Sequence, residues 1–112
     1  KGTKYFKELI QNNFVYVAKI NNNIIGYLAG SVNNVNECFT EKFAEIENMY
    51  IENQYRRLKI GSKLIIKFKE WCKENKIEYI KVSVWSQNIE AINFYQNNNF
   101  IDYEKTLICK LE

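Results

Sequence analysis

Apolar positions recur along this chain at two different periods, and the change of period marks the elements. The residues Ile60, Leu64, Ile65, Phe68, Trp71 and Cys72 follow one another at steps of three, four and one. That spacing puts them on a single buried stripe and predicts a strong helix over residues 61–76. Residues 14–20 and 24–32 are instead β-branched and aromatic, which predicts two strands. The polar run Asn21-Asn22-Asn23 between them reads as a hairpin turn, because Asn tolerates positive φ. Residues 43–51 and 79–85 predict two more strands, with a polar loop over 52–59 leading into the helix. Near the start, Phe6, Leu9 and Ile10 sit at helical spacing and predict the end of a short helix over 4–11. Asn88 is placed to cap a short helix reaching about Asn97, with Ala91, Ile92 and Tyr95 on one side. Residues 100–103 and 106–111 predict two closing strands, and 32–40 reads as a loop.

The strand–helix–strand unit over 43–85 implies a right-handed crossover joining parallel strands, whereas the hairpins are antiparallel. The expected fold class is therefore α/β or α+β, a mixed central sheet flanked by helices. With 112 residues and no proline to mark a linker, the chain reads as one domain, 1–112.

Composition narrows the chemistry. There is no histidine, so His-containing triads and His-ligated metal sites are excluded. Any general base must be a carboxylate, a tyrosine, a thiolate or a relayed water. The three cysteines, Cys38, Cys72 and Cys109, form no CxxC pair. No metal is expected, no cysteine reads as a nucleophile, and a reduced, cytoplasmic setting is the reading. Sixteen basic and thirteen acidic residues are scattered with little segregation, giving a net charge of +3. That suits a small anionic ligand and gives no stripe for nucleic acid. No apolar run is long enough for a membrane span.

The charge that matters is local. Arg56 and Arg57 are the chain's two arginines, adjacent in the loop before the helix, while the other fourteen basic residues are lysine. A helix start offers unpaired N–H groups and the positive end of the dipole, and arginine's planar fork grips phosphate oxygens. Gly61 and the hydroxyl of Ser62 add close approach and a donor. A solvated basic turn explains the loop alone equally well, and the P-loop pattern GxxxxGK[ST] is absent.

Three segments together resemble the GCN5-related N-acetyltransferase (GNAT) family. Arg56-Arg57-Leu58-Lys59-Ile60-Gly61 lies in the register of the family's Arg/Gln-x-x-Gly-x-Gly/Ala motif for acetyl-CoA. Ala44-Glu-Ile-Glu-Asn-Met-Tyr-Ile51 resembles its fourth strand. The stretch from Asn88 through Phe94-Tyr95 to Phe100 resembles its Asn-x-x-Ala-x-x-Phe-Tyr-x-x-x-Gly-Phe motif. Lys59 stands in place of the first motif glycine, and Asn99 in place of the glycine before Phe100. Asn is the usual second choice for a left-handed residue closing a helix. At Lys59 a side chain either crowds the pyrophosphate or adds a charge to it. The family's N-terminal strand and first helix are short or missing in this register.

The resemblance implies acetyl-CoA as co-substrate and direct transfer to a primary amine of a small molecule or peptide in a ternary complex. It implies that Met49, Tyr50 and Ile51 line the pantetheine arm and that Arg56, Arg57, Leu58, Lys59, Ile60, Gly61 and Ser62 hold the pyrophosphate. Asn88 contacts the arm from the other side, and Tyr95 protonates the CoA sulfur. Glu45 and Glu47, two apart and so on one strand face, are the alternatives for the base, with Glu47 preferred. A homodimer is compatible with the resemblance, as is a catalytically silent acyl-CoA-binding module of the same fold.

Overall fold

The computed structural model describes residues 4–10, 13–33 and 42–112, with residues 4–10, 13 and 33 described by backbone alone. Cys38 and most of the 32–40 loop lie outside the described residues. Five strands form one sheet in the order β1-β2-β3-β4-β5. These are β1 (Lys4–Ile10), β2 (Asn13–Ile20), β3 (Asn23–Asn33), β4 (Phe43–Ile51) and β5 (Tyr79–Val82). The first four pair antiparallel and β4 pairs β5 in parallel, so the sheet is mixed as the sequence implies. Helix α1 (Ile60–Glu74) makes the crossover between the parallel strands, and α2 (Ile89–Asn97) follows β5.

Two sequence expectations are corrected. Residues 4–10 form a strand, not a helix end: β1 pairs β2 from Lys4↔Lys19 to Ile10↔Asn13. A helix of two turns is marginal in water, whereas a strand there saturates the otherwise open edge of β2. The two closing strands are also not formed. Residues 101–112 carry no ladder, and Ile101, Tyr103, Leu107, Ile108 and Leu111 are exposed. Alternating apolar residues make a strand only when an edge receives them, and β5 pairs with β4 alone.

The hairpin between β2 and β3 is a two-residue turn in which Asn21 and Asn22 both have positive φ, 52° and 69°. This is what a type I′ turn demands, and Asn meets it without glycine. The predicted helix stripe is the core: Ile60, Leu64, Ile65, Phe68, Trp71 and Cys72 are all buried against Phe14, Tyr16, Ala18, Leu28, Ala44 and Ile46 of the sheet. The Phe14 ring packs in tilted geometry on both Phe68 and Trp71, at centroid distances of 4.4 and 4.3 Å. Gly30 makes room for this cluster, since a Cβ there would lie 2.9 Å from Phe68.

Both helices end in the same way. Beyond α1, Lys76 is left-handed (φ 59°), with Lys76 N–H donating to Lys73 and Ile77 N–H to Cys72. Beyond α2, Asn99 is left-handed (φ 74°), with Asn99 N–H donating to Gln96 and Phe100 N–H to Tyr95. These are Schellman closures, in which a C″ side chain packs back on the last turn. Phe100 does so on the Tyr95 ring, and Ile77 is buried in the same core cluster as Cys72.

Candidate functional site

Strands β4 and β5 part company halfway along. The parallel ladder runs from Phe43↔Tyr79 to Ile46↔Val82 and stops, while β4 continues to Ile51 with β3 alone beside it. The departure coincides with a bulge. Ala29 faces Asn48 and Gly30 faces Ile46, so Glu47 is an extra residue with no partner on β3. A stretch of β4 backbone that includes Met49 and Ile51 thus borders a gap and offers it unpaired strand edge.

Helix α1 begins beside that gap. The loop turns through a 3-10 turn, Asn53–Tyr55, and then through two left-handed residues, Arg57 (φ 69°) and Lys59 (φ 62°). Lys59 therefore departs from the motif glycine at a position where the backbone itself favours glycine. Intrahelical bonding starts with Lys63 N–H to the Lys59 carbonyl, so the N–H groups of Ile60, Gly61 and Ser62 are first-turn donors. No acidic residue lies in that first turn. Instead Arg56, Arg57, Lys59 and Lys63 crowd the positive end of the helix dipole, all exposed. That is the reverse of what the dipole favours, and an anion reverses the sign of the arrangement. By contrast α2 carries Glu90 in its first turn.

Arg56 is partly committed: its Nε donates to the Ile51 carbonyl at 2.9 Å, and its guanidinium lies 6.0 Å from the Tyr50 ring. Leu58 is exposed and Ile60 belongs to the core, so neither contributes a polar side chain to the site. Gly61 is buried, and a Cβ there would meet Met49 Cε and Phe94 Cζ, each at 3.0 Å. Its missing side chain thus serves the packing of α1 on β4 and α2.

The far wall of the gap is α2. Asn88 caps it as expected, its Oδ1 accepting from Ala91 N–H at 3.1 Å, which leaves Nδ2 as the donor it can offer elsewhere. Tyr95 reaches across to β4, its hydroxyl donating to Met49 Sδ at 3.9 Å. Burial raises the Tyr95 pKa above the ordinary tyrosine value of 10.0, so the phenol is held in its acid form. Glu47 accepts a hydrogen bond from Ser31 Oγ at 2.8 Å. Glu45 sits inside the paired part of the strand, opposite Ser31 on β3 and Lys81 on β5.

The structure thus brings Met49, Gly61 and Tyr95 together, with Glu47 at the head of the gap. Ser31 and Phe94 were not found from sequence. Ser31 acts across strands, where no local signal exists; Phe94 is adjacent to Tyr95 and became informative only with Gly61 in view. A recess lined by Tyr50, Glu52, Asn53 and Gln54 opens at the end of β4. Among the described residues no His, Cys, Asp and Glu cluster could hold a metal, and no helix is long and apolar enough to cross a membrane.

A sequence profile described as Acetyltransferase (GNAT) family matches residues 2–100. Among curated proteins, an uncharacterized N-acetyltransferase of Methanocaldococcus jannaschii is 28% identical over 102 residues, 89% of this chain and 45% of its own length. Streptothricin acetyltransferase A of Bacillus subtilis is 29% identical over 101 residues, 90% of this chain and 49% of its own. The chain therefore spans about half the length of these relatives. Among solved structures, an aminoglycoside acetyltransferase from an uncultured soil metagenomic sample superposes with TM-score 0.80 at 23% identity, over 92% of this chain and 67% of that one. An aminoglycoside N-acetyltransferase in complex with CoA gives 0.79 at 15% identity, over 92% and 78%. The profile spans nearly the whole chain and the superposed fold agrees with it: the chain belongs to the acetyltransferase (GNAT) family.

Proposed function

We propose that this chain carries the cofactor-binding and transfer core of an N-acetyltransferase that moves the acetyl group of acetyl-CoA onto a primary amine by direct transfer. One observation carries the reading: an acid-free helix start surrounded by four cations borders an unpaired strand end, with a protonated tyrosine across the gap. The first-turn amides of α1, Arg56, Arg57 and Ser62 hold the pyrophosphate, with Lys59 adding charge. The β4 edge at Met49, Tyr50 and Ile51 pairs with the pantetheine arm, and Asn88 Nδ2 contacts it from α2. When bound, acetyl-CoA supplies an activated thioester whose carbonyl carbon a neutral amine can attack. Glu47, directly or through water, takes the amine proton as the C–N bond forms. Tyr95 delivers its proton to the sulfur as the C–S bond breaks. Glu47 is favoured over Glu45 because it lies where the β5 ladder has ended.

The acceptor is a primary amine of a small molecule or peptide. Relatives named for streptothricin and aminoglycosides favour the small molecule, and exposed carboxylate at the gap suits a cationic one. The test combines calorimetric binding of CoA with thiol release from acetyl-CoA over a panel of kanamycin, streptothricin, spermidine and peptide N-termini. Tyr95→Phe keeps the ring and removes the acid, so kcat should fall by about 10²–10⁴ while CoA affinity is held within about twofold. A fall in kcat below about threefold would remove Tyr95 as the donor. Binding without turnover of any amine would make the chain a silent acyl-CoA module.

A further inference from the structure

Helix α2 has nine residues and buries none of them fully. A helix so short and so little buried does not hold its place by its own stability. Its position rests on a few contacts, two of which, Phe94 on Gly61 and Tyr95 on Met49, lie at the gap. A further one lies at its C-terminal end, just beyond Tyr95. Lys69, in the middle of α1, donates from its ammonium to the Asn98 carbonyl at 2.7 Å. The same ammonium lies 5.5 Å from the centre of the Phe100 ring.

Asn98 is the residue at which α2 ends. A cation there meets the orphaned carbonyls and the negative end of the dipole, and a charge-assisted bond of this length is a strong one. The contact is wired to Tyr95 by geometry. Asn98 N–H and Phe100 N–H both donate to the Tyr95 carbonyl, at 2.9 and 3.0 Å. The Phe100 ring meets the Tyr95 ring edge-on at 5.4 Å, and Asn98 Nδ2 donates to the Phe94 carbonyl at 2.9 Å. Whatever fixes Asn98 and Phe100 therefore fixes the backbone and the ring of Tyr95.

We propose that Lys69 is a positioning residue for the transfer, its ammonium clamping the end of α2 to α1 and so holding the Tyr95 hydroxyl at the gap. The proposal rests on the reading of Tyr95 as proton donor. Lys69→Met keeps the apolar stem beside Phe100 and removes the charge, and Lys69→Arg restores it. The first readout is independent of activity: amide exchange of Asn98, Asn99 and Phe100, measured by NMR against Ile65 in the body of α1. In Lys69→Met these three amides should exchange at least about tenfold faster while Ile65 is unchanged. The second is thiol release from acetyl-CoA with kanamycin, spermidine or water as acceptor. There kcat should fall about tenfold with unaltered CoA affinity, recover to within about threefold in Lys69→Arg, and fall no further when Lys69→Met is added to Tyr95→Phe. Should Lys69→Met fail to fold, Lys69→Gln removes the charge while keeping a neutral donor, and should move exchange and kcat in the same direction but less; no change in either overturns the clamp.

Unchanged exchange at the three amides overturns the clamp. Faster exchange with kcat intact, in a protein whose turnover Tyr95→Phe does abolish, overturns the positioning role. An equal loss from Lys69→Met in the Tyr95→Phe background does the same. Full turnover in Tyr95→Phe sinks the donor assignment itself and the positioning role with it. That result is distinguishable because the exchange data report the clamp separately.

Discussion

Replacing Gly61 by alanine separates two reasons for a glycine at the start of α1: room for a phosphate outside, or room for neighbours inside. The added Cβ would lie 3.0 Å from Met49 Cε, 3.0 Å from Phe94 Cζ and 3.2 Å from Phe94 Cε1. Carbon atoms rest at about 3.5–4.0 Å, so these neighbours must retreat by roughly 0.5 Å. The methyl of Met49 ends a flexible chain and yields cheaply. Phe94 does not, because the Tyr95 ring meets it edge-on at 5.2 Å and Asn98 is bonded to its carbonyl. The strain is thus passed to α2 as a body. Overpacking of this kind costs about 1–3 kcal/mol, and the helix propensity of alanine over glycine returns up to about 1 kcal/mol. The melting temperature should therefore fall by a few degrees, about 5 °C.

The functional effect should be larger than the stability effect. Tyr95 rides on α2, and a displacement of about half an ångström at a proton donor should lower kcat several-fold to tenfold. CoA affinity should stay within about twofold, because the new methyl points into the protein and leaves the first-turn amides in place. Calorimetric CoA titration, thermal melting and kcat, measured on one preparation of Gly61→Ala, decide the matter. Tenfold weaker CoA binding with unaltered turnover at saturation would refute the packing argument and restore the glycine to the ligand.

Three further expectations follow from the same geometry. Arg56→Ala with Arg57→Ala should weaken CoA binding by at least one charge-assisted contact, about 1.5–3 kcal/mol, and abolish most of the thermal stabilisation by CoA; unchanged affinity would remove the pyrophosphate assignment. Glu47→Gln should lower kcat by about 10²–10⁴ and Glu45→Gln by far less; equal effects, or the reverse order, would move the base to Glu45 or to water. Burial pushes the Cys72 thiol up to about 12, and burial with the nearby Glu74, Cys72 and Glu70 pushes the Tyr16 phenol to about 12. Both favour the protonated form in the fold, so their stabilisation is complete below about pH 9 and is lost as the pH rises towards 12. Cys72→Ala should flatten that alkaline loss, and a melting curve against pH that Cys72→Ala leaves unchanged would contradict it.

Much of this was legible because the signals are local. The stripe from Ile60 to Cys72, the cap at Asn88 and the left-handed residue at Asn99 each depend on neighbours within one or two turns. Residues 4–10 failed because helix spacing over so short a run is weaker than the pull of an open edge on β2, which takes them up in seven ladder pairs. The closing strands failed for the opposite reason: the alternation of Ile101 with Tyr103 is real, but no edge takes it up. Lys59 is a third kind of case. Sequence reading weighed its side chain against the pyrophosphate, whereas its φ of 62° shows that the departure from glycine is felt first in the backbone.

The two glutamates make the limit of such reading concrete. Period-two alternation puts Glu45 and Glu47 on one face and can say nothing more to separate them. What separates them is a count that belongs to the partner strands. β3 supplies one residue fewer than β4 across this region, so Glu47 is left over between the Ala29↔Asn48 and Gly30↔Ile46 pairs. On the other side the β5 ladder ends one residue earlier, at Ile46. Glu45 therefore has a ladder partner on both sides, and Glu47 has one on neither. Its side chain is steadied instead by one hydroxyl, Ser31 Oγ. A carboxylate that must take a proton and release it needs open space on one side and a fixed direction on the other. The bulge gives the first and Ser31 the second, and neither is written within ten residues of Glu47 in the chain.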